Sequence, residues 1–226
     1  MDTSFWIEKW QQRQIGFHEG RPNASLQQWF STMNLKAGDH VFVPLCGKSQ
    51  DLLWLLGQGV RVTGVECSPL AVDEFFSEND LQPQRASGSE FGTQATVYRC
   101  GDLTLWRGDY FSLPPAVLNA MDAVYDRAAL IALPPPLRVD YLAKQQKELR
   151  PGTPILLVTL DFQRDPVLCE GYQGPPFPHS DDMVFDQYRD FSMVTKLGQR
   201  DITEQEPKFR AQGADRVFEA AWLIQR

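Results

Sequence analysis

The chain has 226 residues, 42% of them hydrophobic, which is enough to bury a large core within a single domain. Its 22 basic and 29 acidic side chains give a formal net charge of -7, which repels phosphate backbones and anionic lipid and argues against nucleic-acid and membrane partners. The N-terminal residues lack the apolar stretch of a signal peptide, and no run reaches membrane-spanning length. We therefore expect a cytoplasmic protein, and we take it to be a monomer.

Apolar runs alternate with amphipathic stretches, a pattern that predicts β/α units around a parallel sheet. The first predicted strand covers residues 40–45 and leads into a helix over residues 51–59. Residues 60–66 form the second strand. Ser68 and Pro69 then provide the N-cap and first turn of the next helix.

The middle of the chain continues the same pattern with one ambiguity. Residues 95–100 and 103–106 flank a Gly-Asp pair and form either a hairpin or a strand with a short return. A buried strand is predicted at residues 121–125, followed by a helix over 137–149 and a strand over 154–160.

The tail contains a loop rich in glycine and proline, a helix near residues 184–191 and an apolar run at residues 217–224. A closing pair of strands fits this tail, with the last strand antiparallel and at or near the sheet edge. The predicted fold class is therefore α/β.

Cysteine and histidine residues are scattered and form neither a CxxC pair nor an HExxH motif. These residues are Cys46, Cys67, Cys100, Cys169, His18, His40 and His179. The spacing argues against a disulfide framework and predicts buried, reduced thiols. It also predicts that the protein has no metal site.

Polar residues follow the first two predicted strands, where ligands bind in a parallel sheet. Gly47, in the turn LCGKS, lets the backbone approach a ligand closely, although a plain tight turn explains it equally well. Glu66 follows at the spacing, about 20 residues, at which an acid accepts ribose hydroxyls, its alternatives being a solvated strand end or a partner for a base. In a later loop, Asp109 is either an acceptor for the adenine amine or an ordinary turn residue.

Two other nucleotide-binding classes fit the glycine turn less well. A phosphate-binding loop needs the spacing G-x-x-x-x-G-K, and Phe42 stands where its first glycine would be, so Lys48 is at most a water-exposed cation at the helix start. A nicotinamide-dependent oxidoreductase shares the ribose acid but lacks a GxGxxG turn here, and it remains the less favoured alternative. S-adenosylmethionine has no pyrophosphate and tolerates this looser turn.

Two long segments, FVPLCGKSQDLLWLLGQGVRVTGVE and VYDRAALIALPPPLRVDY, together with GDYFSL and GPPF, resemble the thiopurine S-methyltransferase family, particularly its bacterial members. The resemblance begins at WIEKWQQRQIGFHEG and covers essentially the whole chain. It implies a Rossmann-like, seven-stranded, mostly parallel sheet with helices on both faces and an antiparallel last strand. It also implies one methyltransferase domain over residues 1–226, with residues 1–38 as a helical cap over the cofactor.

The resemblance implies S-adenosylmethionine as cofactor, with S-adenosylhomocysteine as product. The expected reaction is direct in-line methyl transfer to the sulfur of aromatic or heterocyclic thiols such as thiopurines, with selenium or tellurium species as further acceptors. Such a reaction depends on alignment and exclusion of water rather than on a covalent intermediate. A non-catalytic sensor of S-adenosylmethionine or S-adenosylhomocysteine is the alternative from another class.

Several residues match the family's cofactor contacts. Trp10 would cover the methionine portion or the sulfonium, beside backbone and apolar contacts from Leu45. Arg127 would pair with the methionine carboxylate or favour a substrate thiolate. The predicted cofactor-binding residues are Trp10, Leu45, Gly47, Glu66, Asp109, Tyr110 and Arg127.

Structural roles remain open for the same residues. Trp6 and Trp10 have the i, i+4 spacing of a helix face docked on the core, and Arg127 has Asp126 beside it as an ion-pair partner. Phe17 and Phe177 are candidates to sandwich a flat heteroaromatic substrate, or else they pack in the core or a lid. The motifs depart from the bacterial pattern at Pro22-Asn23-Ala24 and at Pro178-His179, which leaves the acceptor preference open.

Overall fold

The computed structural model describes residues 3–91, 93–164, 174–211 and 213–226. The strands are β1 (His40–Val43), β2 (Arg61–Glu66), β3 (Gln84–Ser87), β4 (Thr96–Cys100), β5 (Leu103–Arg107), β6 (Ala123–Arg127), β7 (Pro154–Arg164), β8 (Met193–Asp201) and β9 (Ala214–Gln225). The helices are α1 (Thr3–Gln11), α2 (Ala24–Trp29), α3 (Asp51–Gly57), α4 (Pro69–Glu78), α5 (Pro115–Asn119), α6 (Pro135–Glu148), α7 (Asp181–Gln187) and α8 (Pro207–Ala211).

Within the described residues, nine strands form one sheet in the order β3-β4-β5-β2-β1-β6-β7-β9-β8. Strands β5, β2, β1, β6 and β7 run parallel, and β9 lies antiparallel between β7 and β8. This confirms the mostly parallel Rossmann-like sheet with an antiparallel last strand, and β9 lies one strand in from the edge. Strands β3 and β4 extend the predicted seven-stranded sheet beyond β5.

The uncertain pair of segments in the middle of the chain is a hairpin. β4 and β5 pair antiparallel from Thr96 opposite Arg107 to Cys100 opposite Leu103. Gly101 at the turn adopts a positive φ of 57°, which glycine allows at little cost.

The apolar core lies on both faces of the sheet because the central strands are apolar on both sides. Along β7, Ile155 and Leu157 join the core cluster that contains α6, whereas Leu156 and Val158 join the cluster beneath α3 and α4. This alternation explains why the predicted strand reads as a continuous apolar run.

Helix ends follow the local capping residues. Ser68 accepts a hydrogen bond from the Ala71 backbone N–H and Pro69 takes the first helical position of α4, as predicted. Ser180 caps α7, so that helix starts before the predicted residues 184–191. Among the described residues, no helix is long and apolar enough to cross a membrane.

The described cysteines Cys46, Cys67 and Cys100 carry free thiols. Cys46 is buried, as predicted, whereas Cys67 and Cys100 are partly exposed. Cys169 and part of the predicted loop over residues 171–182 lie outside the described residues.

Candidate active site

A cavity of about 410 Å³ lies where the parallel strands end, within the size range of small-molecule sites. Its wall includes Val43 at the end of β1, Glu66 at the end of β2 and Arg127 at the end of β6. The N-terminal segment contributes Trp10 and Phe17 to the opposite side. The polar segments that the sequence places after the strands therefore meet at one cavity.

The turn after β1 approaches α1 closely. Leu45 and Gly47 adopt positive φ values of 45° and 53°. A Cβ atom at Gly47 would lie 3.1 Å from the Trp10 ring, so both the backbone conformation and the contact favour glycine. Trp10 itself is only 2% exposed and lies over this turn.

Glu66 connects the turns that follow β1 and β2. Its carboxylate accepts hydrogen bonds from the backbone N–H of Gly47 at 2.9 Å and of Ser68 at 2.6 Å. Burial raises the pKa of Glu66, although backbone N–H groups favour its charged form. The carboxylate is only 5% exposed and belongs to the cavity wall, which excludes a solvated strand end.

Arg127 lies under the N-terminal segment. It donates to the backbone carbonyl of Phe17 at 3.1 Å and forms an ion pair with Glu19. Asp126 is not its partner, because the Asp126 carboxylate accepts from Tyr141 Oη at 2.6 Å in the core cluster that contains α6. The Arg-Asp pair considered from the sequence is therefore wrong.

Aromatic rings close the cavity on the side of α1. Phe17 packs edge-on against Trp6 and Trp10, with ring centroids 5.6 and 5.7 Å apart. All three side chains belong to the cavity wall. Trp10 is thus a packed helix residue that also belongs to the cavity wall, and its contact with the cofactor stays a prediction.

Three predicted contact residues do not reach the cavity wall. Asp109 accepts from the Phe111 backbone N–H at 3.2 Å and from Ser112 Oγ at 2.9 Å. Tyr110 is 1% exposed because its ring packs in the core. The Phe177 ring lies under the Arg138 guanidinium, 4.8 Å away, and the three residues before it in the chain, Gly174, Pro175 and Pro176, line the cavity instead.

Lys48 also departs from its sequence prediction. Its ammonium group pairs with Glu74 at 2.9 Å and with Glu78 at 2.6 Å on α4. Arg13 pairs with Glu74 as well, so this ion-pair cluster connects the N-terminal segment to α4. Lys48 is 7% exposed rather than open to water.

The structure adds two buried carboxylates that the sequence did not single out. Asp51 accepts from Tyr125 Oη at 3.0 Å and from the Asn23 backbone N–H at 2.7 Å. Glu219 on β9 accepts from Asn23 Nδ2 at 3.2 Å and forms an ion pair with Arg200 at 2.7 Å. Asn23 thereby holds the start of α2 against the sheet.

An apolar wall completes the cavity beside β7 and was also missed. It consists of Ile131, Leu160, Ile202 and Phe209. Two of these residues come from the tail around α8, whose sequence carries no recognisable motif, and Phe209 stacks on Phe162 with centroids 4.9 Å apart. Their apolar character alone indicated only core packing.

The fold is shared with solved structures of other proteins. The structure resembles a phosphoethanolamine N-methyltransferase 2 from Haemonchus contortus solved with S-adenosyl-L-methionine, with a TM-score of 0.62, 11% identity and coverage of 100% of this chain and 58% of that one. It also resembles an arsenic(III) S-adenosylmethionine methyltransferase from Chlamydomonas reinhardtii, with a TM-score of 0.58, 17% identity and coverage of 92% and 75%. This chain therefore shares its fold with these two methyltransferases.

The sequence comparisons are more specific. Residues 1–226 match the family model described as thiopurine S-methyltransferase (TPMT). Relatives with that name include proteins from Bordetella pertussis, 40% identical over 100% of this chain and 99% of the relative, and from Xanthomonas campestris pv. campestris, 42% identical over 100% of both. The chain belongs to the thiopurine S-methyltransferase family and is an S-adenosylmethionine-dependent methyltransferase, which sets aside the nicotinamide alternative.

Proposed function

We propose that this protein transfers the methyl group of S-adenosylmethionine to the sulfur of an aromatic or heterocyclic thiol of the thiopurine type. The observation that carries the proposal is the asymmetry of the cavity. Glu66 and the glycine turn lie toward β2 and β1, whereas the apolar wall of Ile131, Leu160, Ile202 and Phe209 lies toward β7. A polar nucleoside and a flat apolar acceptor would therefore bind side by side.

The cofactor portion of the proposal uses residues around the two turns. Glu66 would accept ribose hydroxyls, since a carboxylate oxygen has room for a second hydrogen bond beside the backbone one described above. Leu45 and Gly47 would supply close backbone contact, and Trp10 would cover the methionine portion or the sulfonium. Asp109 and Tyr110 lie outside this cavity wall, and their contact with the cofactor stays a prediction.

Arg127 is best suited to the cofactor carboxylate. Phe17 and Glu19 accept from its two terminal nitrogens, and each of those nitrogens carries a second N–H. The guanidinium presents its remaining N–H donors as a planar fork, which matches the two oxygens of a carboxylate better than the single sulfur atom of a thiolate. We therefore assign it to cofactor binding rather than to thiolate stabilisation.

The bound cofactor supplies a methyl group already activated by its positively charged sulfur. The protein's own residues then have to orient the acceptor sulfur and keep water out. The rings of Trp6, Trp10 and Phe17 form the cover on one side, and we propose residues 1–38 as the segment that closes the site. The apolar wall holds the acceptor ring without a covalent step.

A panel of acceptors tests the proposal. We expect a thiopurine and a thiophenol to be methylated, because both place a flat ring on the apolar wall. Selenite and tellurite test whether a soft nucleophile without a ring is also accepted. Tight S-adenosylhomocysteine binding with no transfer to any acceptor would contradict the proposal and support the sensor alternative. We also propose that the protein acts as a cytoplasmic monomer on small molecules.

Glu66→Gln tests the cofactor assignment. The amide retains the shape and one acceptor oxygen, but it loses the charge and puts an NH2 group opposite one of the two backbone N–H donors. S-adenosylhomocysteine binding should therefore weaken by about 1 to 3 kcal/mol. Isothermal titration calorimetry measures this change, with circular dichroism as the check on folding. Unchanged affinity in a folded variant would remove Glu66 from the ribose site.

A further inference from the structure

Asp51 is a buried carboxylate in the cavity wall, only 2% exposed. It directly follows the glycine turn and begins α3. Its two oxygens accept from the Asn23 backbone N–H at 2.7 Å and from Tyr125 Oη at 3.0 Å. Both donors are neutral, so these hydrogen bonds orient the carboxylate without balancing its charge.

Three other acidic residues of this cavity already have basic partners. Glu19 pairs with Arg127, Glu206 with Lys208 and Glu219 with Arg200. Glu66 accepts from backbone N–H groups of the two turns.

Asp51 differs from these three, because no basic side chain in the described part of the chain forms an ion pair with it. It shares this with Glu66, but Asp51 is the one of the two whose charge acts on Arg127, without direct contact. A buried charge without an ion-pair partner is costly, and a cationic ligand group in direct contact would reduce that cost.

Asp51 and Arg127 are placed to bind the two oppositely charged groups of a zwitterion, with Asp51 at the ammonium group. Tyr125, which holds the Asp51 carboxylate, lies two positions before Arg127 on β6, and β6 pairs directly with β1. Asp51 and Arg127 therefore belong to the same end of the sheet and to the same cavity. An amino acid carries an ammonium group and a carboxylate on one carbon, and this pair offers a partner for each.

We infer that Asp51 binds the α-ammonium group of the methionine portion of S-adenosylmethionine, while Arg127 takes its α-carboxylate. The inference rests on the cofactor arrangement proposed above and adds a residue to it. Tyr125 and Asn23 act as positioning residues, because they hold the carboxylate toward the cavity. The sequence carries no spacing rule for this contact, since Asn23 and Tyr125 are 28 and 74 positions away from Asp51.

The test compares two ligands that differ at the amino acid end. S-adenosylhomocysteine carries the zwitterion, whereas 5′-methylthioadenosine retains only the adenine, ribose and thioether. In Asp51→Asn, calorimetry should show S-adenosylhomocysteine binding about 10- to 100-fold more weakly, the range expected for a lost hydrogen bond to a charged group. The affinity for 5′-methylthioadenosine should stay within about twofold of the wild type, on the same scale.

Glu219→Gln is the matched control. It neutralises another buried carboxylate of the same wall, but one that Arg200 already balances. This variant should change both affinities by the same factor. Equal losses for the two ligands in Asp51→Asn, or no loss for S-adenosylhomocysteine, would overturn the inference.

The wild-type protein provides a second test that does not depend on how a variant folds. The deaminated analogue of S-adenosylhomocysteine retains the carboxylate but has no ammonium group, and it should bind about 10- to 100-fold more weakly than the parent. Equal affinities would refute the Asp51 contact. A different result would contradict the proposed function itself, namely wild-type protein that binds neither S-adenosylmethionine nor S-adenosylhomocysteine.

Discussion

Asp126 is fully buried, and burial raises its pKa to about 6 even though Tyr141 and the Leu130 backbone N–H donate to it. The folded-state pKa thus lies above that of the unfolded chain. Its stabilising contribution is complete below the unfolded value and is lost as the pH rises through 6. Relative to the wild type, Asp126→Asn should gain roughly 3 kcal/mol of unfolding free energy between about pH 4 and pH 7. Urea denaturation at both pH values measures this difference in unfolding free energy. The same difference at both pH values would show that burial does not raise the pKa of Asp126.

The contribution of His179 to stability changes with pH in the opposite direction, over nearly the same pH range. It is 1% exposed, and burial lowers its pKa to about 4. Its contribution is therefore complete above the unfolded pKa and is lost as the pH falls through the folded value. As the pH falls from about 7 to about 4, the unfolding free energy of His179→Gln should therefore rise by roughly 3 kcal/mol relative to that of the wild type. The same denaturation series tests it, and a stability difference with the slope of Asp126→Asn would contradict this assignment.

Helix α1 should behave as a cover that depends on one buried ring. Trp10 packs over Gly47, and the remaining contacts of the N-terminal segment include the exposed Arg13 that pairs with Glu74. Trp10→Ala should therefore lower turnover strongly and the melting temperature only slightly, because Trp10 is the buried residue of α1 and lies outside the three core clusters of the described residues. Faster hydrogen exchange confined to Thr3–Gln11 would support this, and Trp10→Phe, which retains a ring, is the control. Global unfolding of the alanine variant would instead mean that Trp10 belongs to the core.

The elements that could be predicted from sequence are those whose burial matches a simple period. β1, β2, β6 and β7 are apolar on both faces and read as continuous runs. β3 could not be found, because Gln84–Ser87 is polar, mostly exposed and held by backbone pairing to β4. The cap at Ser180 also outweighed the apolar pattern and placed α7 at Asp181–Gln187.

The residues of the candidate site likewise fall into two groups, those that are close together in sequence and those that only the fold brings together. Gly47 and Glu66 belong to one strand–helix–strand unit, so their spacing along the chain was informative. The contact between Asn23 and Glu219 spans 196 positions and depends on the order of strands in the sheet. Resemblance to a family supplied Trp10 and Arg127, but the ion pairs of Arg127 required the fold.

Hydrogen bonds beside the cavity join the N-terminal segment of the chain to its C-terminal segment. Lys208 near the C-terminus donates to the Gly16 carbonyl at 2.5 Å, and Glu219 accepts from Ser25 Oγ at 2.5 Å. A ligand that fills the cavity therefore stabilises contacts between segments far apart in sequence, and its binding free energy adds to that of folding.

At about 100 times its dissociation constant, S-adenosylhomocysteine should add about 2.7 kcal/mol to the unfolding free energy. For a domain of this length, that corresponds to a rise of roughly 5 to 11 °C in melting temperature. Differential scanning fluorimetry measures the shift, and NADH at the same concentration provides the control that should leave the melting temperature unchanged. A rise with NADH and none with S-adenosylhomocysteine would mean that the cavity selects a different nucleoside, because only a ligand bound to the folded state moves this equilibrium.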